Sequence, residues 1–167
     1  MRILGIDPGS NITGYGIIEK NGQELHTLKW GAIRAKKNDP FPEKLKRIYD
    51  SLRVVINSYG PSTAAIENIF FAKNPNSALK LGHVRGAAIL ASVNSGLEIA
   101  EYTPLEIKLS ITGYGRADKN QVQSMVTKLL CLKKDPTPFD ASDALAVAIC
   151  HLHSAPFNNK VNPVREL

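Results

Sequence analysis

Four acidic residues occupy positions from which they could hold divalent metal ions together: Asp7, Glu67, Asp140 and Asp143. Four carboxylates in one crevice would repel one another and would stay ionised only beside cations. No cluster of Cys or His accompanies them, so the oxygen ligands favour Mg²⁺ or Mn²⁺ over Zn²⁺. Two such ions held close together promote the in-line attack of water on a phosphodiester.

Three of these acids also have a purely structural interpretation. Asp7 precedes Pro8-Gly9 and could cap that turn by accepting a hydrogen bond from the backbone of Ser10. Asp140 could be the N-cap of a helix, with Asp143 a first-turn acid favoured by the helix dipole. Capping explains each Asp singly, but it gives no reason for Asp7 and Glu67 to meet the other two.

The segments before Asp7 and Glu67 are predicted strands that could bring these acids to one edge of a sheet. Residues 3–6 are apolar without alternation, which is typical of a strand covered on both faces. Residues 63–67 form a short apolar segment that follows a helical crossover, so this strand should lie parallel to a neighbour. Open α/β sheets bind ligands at the carboxyl ends of their strands.

The remaining patterns predict a mixed α/β fold with a five-stranded sheet, three antiparallel strands followed by two parallel ones, and helices on both faces. Asn21-Gly22 is a strong hairpin signal between strands at 14–20 and 23–33. A fifth strand is predicted at 97–102, and helices at 41–59, 76–94, from Pro104, from Lys119 and from 139 to about 153. We predict one domain over residues 1–153 and a disordered tail over 154–167.

Composition favours a soluble protein with a polyanionic partner. The 167 residues carry a net charge of +6. The segment between Asn68 and Lys134 contains nine Lys and Arg residues but only four acidic residues. A solvated lysine-rich surface is the alternative interpretation. Cys131 and Cys150 are isolated, and no signal peptide or membrane-length apolar run is present, so we expect a cytoplasmic protein with no membrane partner.

The predicted helix over 76–94 has small residues on a face where they suit close helix approach: Gly82, Gly86 and Ala87. Gly disfavours a helix by about 1 kcal/mol relative to Ala, which suggests a packing reason for these residues. Packing within the monomer is one interpretation. A subunit interface is the other, and we favour it.

Several motifs in order along the chain resemble the RuvC family of Holliday-junction resolvases. The resemblance covers about residues 1–153 and rests on the segments Gly5-Ile6-Asp7-Pro8-Gly9, Ala65-Ile66-Glu67, Phe70-Phe71-Ala72-Lys73-Asn74, Ser77-Ala78-Leu79-Lys80-Leu81-Gly82, Glu101-Tyr102 with Lys108, Lys119-Asn120-Gln121-Val122-Gln123 and Asp140-Ala141-Ser142-Asp143-Ala144-Leu145-Ala146. No single motif is specific, whereas the ordered set is.

This resemblance implies an RNase H-like fold, a homodimer, and paired nicking of four-way DNA junctions with Mg²⁺, two ions in each subunit, with Mn²⁺ as a possible substitute. It makes Asp7, Glu67, Asp140 and Asp143 the catalytic and metal-binding acids. Some relatives place a His at the position of Asp140, and this chain does not follow them. The resemblance also implies a partnership with the RuvA–RuvB branch-migration complex.

Seven residues are candidates for DNA contacts: Phe70, Lys73, Lys80, Arg85, Lys108, Arg116 and Lys119. Lys108 and Lys119 match lysines of the family that support cleavage and binding, and Phe70 matches an aromatic that stacks on a base at the opened crossover. Lys119 lies in the first turn of its predicted helix, where the dipole disfavours a cation unless a phosphate is near. An ordinary loop aromatic is the competing interpretation of Phe70.

Parts of the sequence are also compatible with two other functions. Asp7-Pro8-Gly9-Ser10 also resembles the phosphate loop of actin-like and sugar-kinase phosphotransferases, but those proteins pair two related domains and this length supplies one. A catalytically silent junction-binding protein would use the same basic surface. The presence of all four acids favours the nuclease.

Overall fold

The structure is a computed structural model that describes residues 1–36, 38–68 and 75–161. Its strands are β1 (Arg2–Asp7), β2 (Ile12–Asn21), β3 (Glu24–Arg34), β4 (Thr63–Glu67) and β5 (Glu98–Tyr102). Its helices are α1 (Phe41–Tyr59), α2 (Pro75–Val93), α3 (Pro104–Thr112), α4 (Lys119–Leu129) and α5 (Phe139–Val161). These elements confirm the predicted fold class.

The five strands form one mixed sheet in the order β3-β2-β1-β4-β5. β1, β2 and β3 pair antiparallel, and β4 pairs parallel with both β1 and β5. The central strands β1 and β4 therefore point their carboxyl ends in the same direction. This is the edge at which the sequence predicted a ligand site.

Two apolar cores cover the two faces of the sheet. Alternate residues of β1 divide between them, because successive side chains of a strand point to opposite faces. Ile3 packs in the core beneath α3, α4 and α5, whereas Leu4 and Ile6 pack against α1 and α2. The uninterrupted apolar character of β1 is thus explained by a helix layer on each side.

Local signals define most helix ends. Gly60 ends α1 in the left-handed region, at φ 56° and ψ 52°. Thr103 and Asp118 are the N-caps of α3 and α4, and each forms a capping box with the residue three positions on, Glu106 and Gln121 respectively. Among the described residues no helix is long and apolar enough to cross a membrane.

The predicted end of the last helix, at about His153, is wrong because α5 continues to Val161. Pro156 suggested the earlier end, since proline cannot donate a backbone hydrogen bond inside a helix. Losing one such bond weakens a helix without always ending it, and here the helical backbone passes through the proline. The rest of the tail, 162–167, lies outside the described residues, and the domain limit stays a prediction.

Candidate active site

Asp7 and Glu67 lie side by side where β1 and β4 end. The parallel register pairs Ile6 with Ile66, so the two acids follow at neighbouring positions. Ile3 and Ala65 belong to the core on the α5 side of the sheet, and the period of two places Asp7 and Glu67 on that same side. A hydrogen bond joins their two carboxyl groups.

Burial makes these carboxylates costly to ionise. Desolvation, followed by the charge of Glu67, raises the pKa of Asp7 from 3.8 to about 8. Desolvation also raises the pKa of Glu67, although its hydrogen bond with Asp7 opposes this shift. At neutral pH and without a cation, Asp7 therefore keeps its proton and donates a hydrogen bond to Glu67.

Helix α5 lies directly on β1 and β2 because glycines leave room for it. A methyl group on Gly5 would overlap the carbonyl oxygen of Ala144, and one on Gly14 would overlap the carbonyl oxygen of Asp140. Gly14 is also the partner of Asp7 in the antiparallel register. The first turn of α5, which carries Asp140, is thereby seated beside Asp7.

These glycines position α5, and the sequence analysis did not identify them for this, although a signal for them exists. Gly14 and Gly16 alternate along β2, so they share one face, and Gly5 faces Gly16 across the sheet. A strip without side chains on one face of a sheet indicates the close approach of another backbone.

Asp143 lines the same pocket as Asp7 and Glu67, whereas Asp140 affects the pocket only through its charge. The pocket has a volume of about 260 Å³ and is lined by Asp7, Glu67, Pro104, Ile107, Lys108, Lys119, Val122 and Asp143. Asp140 does not line it, but its charge contributes to the raised pKa of Asp7. Since α5 begins at Phe139, Asp140 lies inside the first turn and is not the N-cap.

Two lysines bring positive charge to this acidic pocket. Lys119 Nζ lies 3.2 Å from Asp143 Oδ2, and the charge of Asp143 raises the pKa of the ammonium group. Burial raises the pKa of Asp143, and Lys119 opposes that rise. Lys108, on α3, also lines the pocket. Ammonium groups at the edge of such a pocket suit a phosphate whose oxygens contact the lysines.

The acids are not preassembled around a metal position. Within the described part of the chain, no group of three or more His, Cys, Asp or Glu side chains is arranged to hold an ion. The contacts explain this, because Asp7 is bonded to Glu67 and Asp143 to Lys119. The donor chemistry still fits a hard divalent cation, since every donor is a carboxylate oxygen and three of the four are costly to ionise without one.

The other candidate DNA contacts have varied surroundings. Lys80 and Arg116 are exposed, whereas Arg85 on α2 forms an ion pair with Glu101 on β5 and is mostly covered. Phe70 and Lys73 lie outside the described residues. The roles of all seven candidates remain predictions.

Comparison with known proteins identifies the family. The family model described as crossover junction endodeoxyribonuclease RuvC matches residues 3–151. This chain belongs to the RuvC family. The crossover junction endodeoxyribonuclease RuvC of Acinetobacter baylyi is 56% identical over 92% of this chain and 83% of the relative. The crossover junction endodeoxyribonuclease RuvC of Syntrophotalea carbinolica is also 56% identical, over 95% of this chain and 98% of the relative.

Solved RuvC structures share the fold. Thermus thermophilus RuvC in complex with a Holliday junction substrate matches with a TM-score of 0.89 and 31% identity, covering 95% of this chain and 96% of that chain. The yeast mitochondrial Holliday junction resolvase Ydc2 matches with a TM-score of 0.64 at 13% identity, covering 96% and 84%, which shows the fold alone. The RuvC family resemblance stated from the motifs is confirmed.

Proposed function

We propose that this chain is a structure-selective endodeoxyribonuclease that resolves four-way DNA junctions by paired nicks in recombination and repair. The observation that carries this proposal is the pocket in which Asp7, Glu67 and Asp143 meet Lys108 and Lys119. Family membership supports it, because the relatives are crossover junction endodeoxyribonucleases. The reaction class is hydrolysis of a phosphodiester bond.

Asp7, Glu67, Asp140 and Asp143 would together hold Mg²⁺, or Mn²⁺ in its place, with two ions in each subunit. Bound there, the ions would polarise the phosphoryl group and increase the acidity of the attacking water. The protein's own part is to present ionised carboxylates. Asp7 must therefore release the proton of its hydrogen bond with Glu67 when the metal binds. The hydrogen bond between Lys119 and Asp143 must also break.

Lys108 and Lys119 would bind oxygens of the DNA phosphate at the pocket. Lys119 is 70% exposed at its side chain, so it can turn from Asp143 to a phosphate without unfolding its helix. The phosphate also removes the unfavourable interaction of a cation with the first turn of α4. Lys80 and Arg116 would extend this basic surface along the DNA. Phe70, Lys73 and Arg85 stay as candidate DNA contacts from sequence.

A homodimer would supply two identical sites for symmetric nicking. The face of α2 that carries Gly82, Gly86, Leu79 and Leu90 is open, and the position of a Cβ at either glycine has no other described residue within 4 Å. Packing within the described monomer therefore does not account for these glycines. A two-fold contact across this face, with Ala87 beside the glycines, is the arrangement we propose.

The partnership with the RuvA–RuvB complex and the cytoplasmic location are part of the same proposal. Both rest on family membership.

The test of this proposal is a cleavage assay on a synthetic mobile four-way junction, with linear duplex of the same sequence as the control substrate. We expect symmetric nicks in the junction with Mg²⁺, none without it, and little cutting of the duplex. Binding of the junction without any nicks in Mg²⁺ or Mn²⁺ would favour the silent junction-binding protein. Equal cutting of both substrates would contradict structure selectivity.

A further inference from the structure

The turn between α3 and α4, residues 113–118, presents an aromatic ring to solvent from a fixed backbone. Tyr114 is 57% exposed. Its N–H donates to the hydroxyl of Thr112 at 3.2 Å, and its carbonyl accepts from the N–H of Ala117 at 3.1 Å. Gly113, at φ 70°, allows the chain to leave α3 in the left-handed region. The backbone of Tyr114 is thus held by hydrogen bonds, and its ring is exposed.

A second pocket of about 510 Å³ lies beside this ring. It is lined by Thr112, Tyr114, Ala117, Asp118, Asn120, Gln121, Ser124 and Met125. Apolar side chains and the ring offer stacking and packing, and Thr112, Asn120 and Ser124 offer hydrogen bonds. The Asp118 carboxylate and the Gln121 amide also line the pocket but are engaged in the capping box of α4. This combination of a flat π surface with a few polar groups is suited to a nucleobase.

The second pocket adjoins the acidic pocket through two shared helices. On α4, Lys119 and Val122 line the acidic pocket, whereas Asn120 and Gln121 line the second. On α3, Lys108 lines the acidic pocket and Thr112, one turn further, lines the second. Neighbouring nucleotides of one strand could therefore occupy both pockets.

Positive charge also connects the two pockets. Arg116 is exposed within the 113–118 turn, and Lys119 follows at the start of α4. A strand whose phosphate lies between Lys108 and Lys119 would meet Arg116 as it passes toward Tyr114. A basic groove that tracks the backbone beside an aromatic platform is the arrangement by which proteins bind unstacked nucleotides.

We propose that Tyr114 and the second pocket bind an unstacked nucleobase of the DNA strand whose phosphate lies at Lys108 and Lys119. This inference rests on the proposed junction nuclease and specifies a second contact for the same strand. It differs from the contact predicted for Phe70, which follows β4 rather than α3. Because every base has a π surface, this contact should be tolerant of sequence.

The test places 2-aminopurine at successive positions flanking the crossover of a synthetic junction, and uses Ca²⁺ in place of Mg²⁺ so that binding is measured without cleavage. Stacking quenches 2-aminopurine fluorescence. We expect the wild-type complex to quench the label at one position and the Tyr114→Ala complex to lack that quench. Affinity should fall at least about fivefold, from the loss of one stacked base. Tyr114→Phe should keep both, because the ring and not the hydroxyl makes the contact.

Arg116→Ala is the matched control within the same turn. It should weaken binding and lower the salt dependence by about one unit of slope, while leaving the quench intact at saturating protein. Melting temperatures of all variants should equal that of wild type, since both side chains are exposed.

The outcomes separate this inference from the proposed function. If Tyr114→Ala binds the junction as tightly as wild type, or keeps the quench, the nucleobase site is wrong while the nuclease proposal stands. If Tyr114→Phe loses the quench as Tyr114→Ala does, stacking is also wrong. If wild type fails to bind the junction at all, the proposed function itself fails.

Discussion

Lys119 Nζ lies 3.2 Å from Asp143 Oδ2, so an ammonium group occupies the acidic pocket where a divalent cation would be bound. The Lys119 side chain of this ion pair is 70% exposed to solvent. Such pairs contribute about 0.2–1 kcal/mol. Lys119 is therefore a weak competitor for Asp143, which a metal ion or a phosphate on the lysine could displace.

Lys119→Met should tighten Mg²⁺ binding to the DNA-free protein by about two- to fivefold, because one positive charge and one ion pair are removed. Junction cleavage should fall in the same variant, because a phosphate contact is lost. Calorimetric titration with Mg²⁺ measures the first effect. Lys128→Met, in the last turn of the same helix, is the control for loss of a surface charge. Unchanged or weaker Mg²⁺ binding in Lys119→Met would show that the pair does not compete.

The metal-free protein should lose stability as pH rises toward the raised pKa of Asp7, about 8. The native state binds this proton more tightly than the unfolded chain, whose group titrates near 3.8, so the stabilisation is complete below about pH 4 and is lost as pH rises through about 8. Asp7→Asn should flatten this part of the profile, and thermal melting across pH with a chelator measures it. Asp50→Asn, an exposed acid on α1, is the control. A melting temperature that rises over this range in chelator would contradict the buried, protonated Asp7.

Gly14→Ala should displace the first turn of α5, because the new methyl group would overlap the backbone carbonyl of Asp140. Overpacking of this kind destabilises by about 1–3 kcal/mol, and misplacing a catalytic group by about 1 Å lowers rates by about 100-fold. Gly16→Ala is the matched control on the same strand, since its new methyl group would meet the Leu145 side chain, at 2.6 Å, and not a backbone carbonyl. Nicking assays beside melting curves should show the larger loss of activity in Gly14→Ala. Equal activity of Gly14→Ala and wild type would contradict the role of Gly14 in positioning the first turn of α5.

Gly86→Leu should separate the proposed dimer while preserving the monomer fold, because the position of its Cβ has open space around it. Sedimentation should then show a monomer for the variant and a dimer for wild type. Asn57→Leu, an exposed helical position on α1, controls for adding an apolar surface residue. A wild-type monomer at assay concentrations, both with and without junction DNA, would contradict the two-fold arrangement.

Local signals in the sequence were enough for much of the fold. The bounds of α1 and β4 agree with the prediction because Gly60-Pro61 separates them and the apolar period changes there from helical to strand. The capping box of Asp118 with Gln121 depends only on residues three apart, so the sequence alone indicates it. The end of α5 was not predicted correctly, because Pro156 weakens a helix locally without deciding where the backbone stops.

The candidate site was predictable only in part. Asp7 and Glu67 end parallel neighbours, which the strand order implies, and the structure places them together. The ion pair of Lys119 with Asp143 joins residues 24 positions apart across two helices, so no local pattern contains it. The position of α5 depends on Gly14 lying opposite Asp7, and this pairing is known only once the register of β1 and β2 is known. These long-range relationships set the electrostatics of the pocket.

The measurement that tests the central claim most directly is junction nicking beside melting temperature for Asp140→Asn, each with and without Mg²⁺. Removing one charge from the acidic cluster should relieve repulsion, because the charge of Asp140 contributes to the raised pKa of Asp7. We expect the metal-free melting temperature to hold or rise, junction binding to survive through the basic surface, and nicking to collapse. A variant that melts lower yet nicks the junction as fast as wild type would contradict a metal site shared by the four carboxylates.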